Sequence, residues 1–334
     1  MSDPFVFDHN RLFNEPTMEQ HGSHMIIKNV QKPEKTKYIT IDTRFRDQYD
    51  RSLLANYNIT LPERVNSVKS MKVVSVEMPL TYHNVSASLG NNSFKLINDS
   101  TSDSQVIVLG NDFYPTSTIA TPITNQLTPG SNPTWIKGSN ITVLFDSTTG
   151  KITFTNANAV AIDIEFDLIE CSGGTGPTGG LSQRESLMSK LGWLLGFRLP
   201  SYTIPASGSI TSEAIADFSG LPYFYLVLDE FKTSNPHSFL GLSRTSQLSS
   251  QQILARITVD TSSYNIGIGG ATAGVGTGPQ IMSLDCRSNM VSDIRTYGEL
   301  VDIQKMNVRI VDQFGRIMNF NGLDFSFLLE LKHE

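Results

Sequence analysis

The sequence predicts an all-β sandwich, and three observations carry that expectation. Charged residues are only 17% of the chain and Ser, Thr, Asn and Gly are plentiful, a composition suited to many short strands and turns. Apolar residues recur with a period of two in run after run, the mark of strands with one buried face. The helical period is sustained in one stretch alone, far too little helix to cover a parallel sheet.

Taken in order, the strand runs begin at KYITIDTR, where Tyr38, Ile39 and Ile41 lie among polar residues. NYNITLP and MKVVSVEMPL follow as two further strands, closed by Pro62 and Pro79, since proline suits strand ends. SFKLIN and QVIVLG read as one hairpin, NITVLFD and KITFTN as another around Ser147-Thr148-Thr149-Gly150, and IDIEFDL as a strand after them. Between these, Ile119, Ile123 and Leu127 have helical spacing, but Pro122 in their midst predicts a short or kinked helix. After the flexible SGGTGPTGG comes the best helix. Ser182 and Glu185 form a capping box, Leu187, Met188, Leu191, Leu194 and Leu195 make one apolar stripe, and Gly196 sits at the C-terminus.

Strands then return. LPYFYLVLDEF is nearly continuous in apolar and aromatic residues and is expected to be central and buried on both faces. TIPASGSITS, SFLGLS and QILARITVD are the other strand runs of this part, followed by the Gly-rich loop from Gly267 to Gly278. At the C-terminus Val301, Ile303, Met306, Val308 and Ile310 alternate with more polar residues. After a turn near Asp312 to Gly315, alternation resumes at Phe325, Phe327, Leu329 and Leu331. This segment is expected to fold back antiparallel on itself. Because a lone hairpin is marginal in water, its last strand also needs a partner made within the first eighty residues.

These runs suggest a jelly-roll or Greek-key β-sandwich with an inserted β-rich subdomain carrying one or two short helices. The expected layout is an extended N-terminal arm over residues 1–36, a sandwich built from 37–90 and 198–334, and the insertion over 91–197. In the arm, Phe5, Phe7 and Phe13 are apolar anchors on a polar tether, suited to contact with another subunit.

Composition also limits function. A net charge of −6 and no dense basic stripe argue against a direct grip on nucleic acid. No run reaches the roughly 20 apolar residues of a membrane-spanning helix. The acidic start MSDPFVFDHN is unlike a secretory signal, so synthesis in the cytosol is expected. Cys171 and Cys286 are the only cysteines, and the six histidines are scattered without HExxH or paired spacing, so neither a disulfide framework nor a metal site is expected. The glycine clusters lack the spacing of a phosphate loop or a dinucleotide fingerprint, and no GxSxG elbow occurs. Asp229-Glu230 reads as a solvated strand terminus. Catalytic, cofactor-binding and metal residues are therefore expected to be none.

Three stretches carry a resemblance. Ile41-Asp42-Thr43-Arg44 with NYNITLPERVNSVKSMKVVSVEMP, LGWLLGFR from Leu191 to Arg198, and VDIQKMNVRIVDQFGR with NGLDFSFLLEL are similar, in that order, to motifs of a family of virion proteins. The family belongs to the nucleocytoplasmic large double-stranded DNA viruses, in a form like that of the chlorella viruses. Thr43 stands for the usual Ser, and Phe45 interrupts a charged pair. The resemblance implies a jelly-roll minor capsid protein that forms the fivefold vertex (penton) or ties major capsid capsomers together. It implies the major capsid protein and other minor capsid proteins as partners, self-association as a pentamer at a vertex, and a place in the virion capsid after assembly in host cytoplasm. It brings no cofactor. Competing readings are a carbohydrate- or receptor-binding sandwich presenting Trp135 with Tyr202 or Tyr264, and, further off, a β-sandwich enzyme.

Overall fold

The computed structural model describes residues 16–21, 24–29, 33–49, 55–99, 103–127, 140–167, 187–231, 252–259, 281–285, 290–292 and 294–334, with the backbone alone for 16–29 and 281–285. The anchors Phe5, Phe7 and Phe13 lie outside these residues, as do Trp135, Tyr264, Ser182, Glu185, SFLGLS, the Gly267–Gly278 loop and both cysteines.

The described chain is dominated by strands, as its alternation requires. A hairpin, β1 (Pro16–His21) with β2 (His24–Asn29), precedes β3 (Lys35–Asp42) and the long β4 (Asn56–Pro79). β12 (Tyr223–Asp229), β13 (Ile253–Thr258), β14 (Ile281–Asp285), β15 (Met290–Ser292), β16 (Arg295–Val311) and β17 (Ser326–His333) complete one curled sheet, in the order β15-β13-β12-β16-β4-β17-β3 with β14 also on β4. The first half of β4 pairs with β16, and its second half with β17 and β14. The sheet thus folds over one core. Phe224 on β12 meets Phe320 at 6.2 Å between ring centroids, Phe320 meets Phe325 at 5.7 Å, and Phe325 stacks on Phe327 of β17 at 6.4 Å. β12 is buried on both faces as expected, with Phe224, Leu226 and Leu228 facing this core and Tyr225 and Val227 in a smaller apolar cluster.

A second core draws on residues from Val85 to Phe218. It lies between the sheet β10-β9-β5-β6 and the sheet β11-β8-β7, made from β5 (Ser93–Asn98), β6 (Ser104–Val108), β7 (Ile141–Asp146), β8 (Lys151–Asn156), β9 (Ile162–Glu165), β10 (Ser201–Ile204) and β11 (Gly208–Thr211). The expected hairpins β5–β6 and β7–β8 are both present. Phe94 of β5 and Phe154 of β8 meet edge to face at 5.9 Å, joining the two sheets. Where the chain passes between the cores, Asn84 donates to the Phe218 carbonyl at 2.7 Å and the Leu221 N–H donates to the Tyr82 hydroxyl at 3.1 Å.

Three local expectations are corrected. NYNITLP and MKVVSVEMPL are one strand of 24 residues, because the β16 ladder shifts register between Val65 and Thr60 and leaves Pro62 in the irregular stretch, where no ladder bond is asked of it. β16 and β17 do not pair with each other. β4 lies between them, so the C-terminal segment embraces an early strand instead of closing a hairpin. The expected partner in the first eighty residues is there twice, as β3 and β4. The short helix expected around Pro122 is α1 (Ala120–Leu127), with Pro122 in its first turn, where its missing N–H leaves no helical bond unmade. The amphipathic helix is interrupted: Leu187 and Met188 are helical, Lys190 is extended, and α2 (Leu191–Leu194) starts anew. Met188 is accordingly exposed while Leu187, Leu191 and Leu195 are buried.

Candidate functional site

No group of three His, Cys, Asp or Glu side chains is placed to hold a metal among the described residues. Glu230 is not the solvated strand end expected of it. It is 3% exposed and accepts from Arg295 Nη1 at 2.6 Å, while Arg295 also donates to the carbonyls of Leu228 and Gln252, both at 2.9 Å. The pair neutralises itself inside the sandwich, and sequence reading missed it because its members stand 65 residues apart. A polar depression of about 300 Å³ lies over β4 and β16, lined by Asp47, Gln48, Asn56, Asn58, Lys305 and Asn307. Asp47 is already committed to Thr60, accepting from its hydroxyl at 2.7 Å, and the Asn307 amide donates to Asn58 Oδ1 at 3.1 Å.

The three stretches that carry the resemblance are joints. In the first, the Thr43 N–H donates to the Phe325 carbonyl at 3.0 Å, the Thr43 hydroxyl donates to Asp324 at 2.7 Å, and the same hydroxyl accepts from the Phe325 N–H at 3.0 Å. Thr43 is wholly buried and so binds the end of β3 to the start of β17. Beside it, hydrogen bonds from the Arg44 guanidinium hold the Asp42 carboxyl below its ordinary value. Arg46 donates to the Thr43 carbonyl at 2.8 Å and lies 3.9 Å over the Tyr49 ring. With all these neighbours fastened, Phe45 is 75% exposed at the tip of the turn.

In the second stretch the glycines permit close approach. A Cβ on Gly192 would fall 2.3 Å from the Phe166 ring. Gly196, at φ +93°, would place one 2.2 Å from the Ala214 carbonyl oxygen. Arg198 lies 4.0 Å over the Trp193 ring and donates to the Trp193 carbonyl at 2.9 Å. Tyr202 packs edge to face on Phe197 at 5.0 Å, and its hydroxyl accepts from the N–H groups of Arg198 and Leu199 and donates to Glu213. Burial, then the bond to Glu213, raises its pKa. Tyr202 is thus a packing residue, not the open platform a glycan reading asked of it.

In the third stretch the buried Asp312 carboxylate accepts from the Phe314 and Arg316 N–H groups, both at 2.8 Å, and from Arg316 Nε at 2.7 Å. Arg316 Nη1 then reaches the Leu89 carbonyl at 2.8 Å, tying the sandwich turn to the flank of the second core. The turn chemistry of Asp312 and Gly315 was visible in sequence, but the distant acceptor was not. Phe45 is the surface feature the motif does hint at, an aromatic set among Asp42, Arg44 and Arg46.

No protein-family model matches the chain, and no curated protein matches it. Among solved structures it is similar to the mavirus penton protein, with a TM-score of 0.42 and 10% identity over 91% of this chain and 100% of that one. It is also similar to a chain of the Sputnik virophage, with a TM-score of 0.36 and 15% identity over 90% of this chain and 98% of that one.

Proposed function

We propose that the chain is a structural subunit of a virion shell, a minor capsid component of a large icosahedral DNA virus. It forms the fivefold vertex or links major capsid capsomers, with the second core, which reaches past the expected 91–197 to take in β10 and β11, as an insertion in the sandwich and the arm carrying Phe5, Phe7 and Phe13 docked on a neighbouring subunit. The observation that carries the reading is that the stretches resembling the virion family serve as joints: Thr43 joins the two ends of the sandwich, Gly192 and Gly196 allow close packing in the second core, and Arg316 braces one core against the other. A shell subunit works by holding shape under load while its edges and arms meet neighbours, so residues spent on joints are what such a role requires.

Stepwise dissociation of purified particles tests it. A vertex or linking subunit leaves with the shell or vertex fraction before the genome-bearing core is opened. Recovery with the core, or absence from particles, refutes the reading. The arm is tested in the same material: replacing Phe5, Phe7 and Phe13 together with Ser is expected to leave the folded chain intact and prevent its incorporation.

A further inference from the structure

We propose that the polar depression over β4 and β16 is a saccharide-binding site that takes one neutral hexose ring of a glycan. The inference goes beyond the shell reading and does not rest on it. The depression is floored by Asn56 and Asn58 of β4 and by Lys305 and Asn307 of β16, with Asp47 and Gln48 of the turn after β3 as its wall. Two bonds hold that wall against β4: the Asp47 N–H donates to the Asn58 carbonyl at 2.8 Å, and the Thr60 hydroxyl donates to Asp47 at 2.7 Å. Gln48 is kept at φ +54°, a strained conformation of the kind that gathers where chains meet ligands. At about 300 Å³ the space lies at the small end of ligand pockets, enough for one ring.

The internal bonds of the depression decide what it offers. The Tyr57 carbonyl can only accept, so the bond it receives from Asn307 at 3.2 Å fixes that amide with Nδ2 turned inward. The same Nδ2 donates to Asn58 Oδ1 at 3.1 Å and to Asn56 Oδ1 at 3.4 Å. Three carbonyl oxygens thus surround one amide nitrogen. What remains unspent among the described residues is the Nδ2 groups of Asn56 and Asn58, the Oδ1 of Asn307, and the Nζ of the exposed Lys305. Asp47 adds carboxylate lone pairs beyond the two it gives to Thr60. Donors and acceptors so mixed disfavour the simpler ligands. An anion meets Asp47, a cation meets Lys305 and a single carboxylate, and a peptide strand finds β4 and β16 already laddered to each other from Asn56 to Thr60. Vicinal hydroxyls, each of which donates and accepts at once, match the set. Phe45 and Tyr49, 75% and 51% exposed, stand two residues to either side of Asp47 on the same turn and supply ring surface for the apolar C–H face of a sugar.

The test titrates the full chain with the methyl glycosides of glucose, galactose and mannose, read by saturation-transfer NMR, with thermal unfolding as the control for folding. At least one hexoside is expected to bind with a Kd of about 1 mM. Asn58→Ala and Lys305→Met each remove one outward donor from an exposed position, and each is expected to weaken binding about fivefold with unchanged unfolding. Together they are expected to abolish it, whereas Lys151→Met, beside the second core, leaves it unchanged. No hexoside bound at tens of millimolar, binding that the double variant leaves intact, an equal loss with Lys151→Met, or displacement of the hexoside by equimolar inorganic sulfate overturns the inference. None of these bears on whether the chain sits in the shell, which particle dissociation reads independently.

Discussion

Replacing Thr43 with Val removes one hydroxyl and little volume, and the structure says what that hydroxyl is worth. It donates to Asp324 at 2.7 Å and accepts from the buried Phe325 N–H at 3.0 Å. Asp324 keeps access to water and to Arg46 at 3.3 Å, so its loss is small. The Phe325 N–H has no such recourse, and leaving a buried donor unpaired costs about 1–3 kcal/mol. The expected total is about 2 kcal/mol, up to ~30-fold in the folding equilibrium. In urea, with a slope of about 3 kcal/mol/M, the midpoint falls by ~0.7 M. Thr43→Ser keeps the hydroxyl and loses only a methyl group, so it stays within about 1 kcal/mol of wild type. The measurement is a urea titration of both variants followed by circular dichroism. A Val variant as stable as wild type, or a Ser variant as damaged as the Val variant, would refute the assignment of Thr43 as the joint between β3 and β17.

Further outcomes follow from the same geometry. Leu329→Asp puts a carboxylate at a fully buried position of β17 and is expected to prevent folding; a soluble variant with unchanged thermal unfolding contradicts this. Arg295→Met strands Glu230 in the core and is expected to cost about 3–5 kcal/mol, whereas Arg295→Met with Glu230→Leu recovers most of the loss; denaturant titration of both variants decides. Gly196→Ala meets both a positive φ and the Ala214 carbonyl, and a loss of about 3 kcal/mol or more is expected by thermal unfolding, against almost none for Gly298→Ala, whose added Cβ touches nothing. Because Arg44 depresses the folded pKa of Asp42 below its ordinary 3.8, the stabilisation is present above that value and is lost as pH falls through the lower folded value. Asp42→Asn should therefore flatten stability against pH in that acid range, and an unchanged profile would contradict the pairing.

What the sequence made legible was local. Period-two runs found β3, β5, β7, β8 and β17, and the continuous apolar run at Tyr223–Asp229 marked β12 as a strand buried twice. What stayed hidden depended on distant partners. Pro62 reads as a strand end because nothing local reveals that the β16 ladder slips beside it. β16 and β17 read as a hairpin because an intervening strand contributed from the first eighty residues leaves no trace in their own pattern. Glu230 reads as solvated because Arg295, its partner, lies on another strand. The joints divide the same way: Gly196 and the Asp312 turn were visible as turn chemistry, whereas their contacts with Ala214 and Leu89 were not.

The most direct measurement is where density for this chain lies in a reconstruction of the intact particle. The account predicts the shell, with the curled sandwich seated at a vertex or between capsomers. Density in the particle interior, or none attributable to this chain, would contradict it.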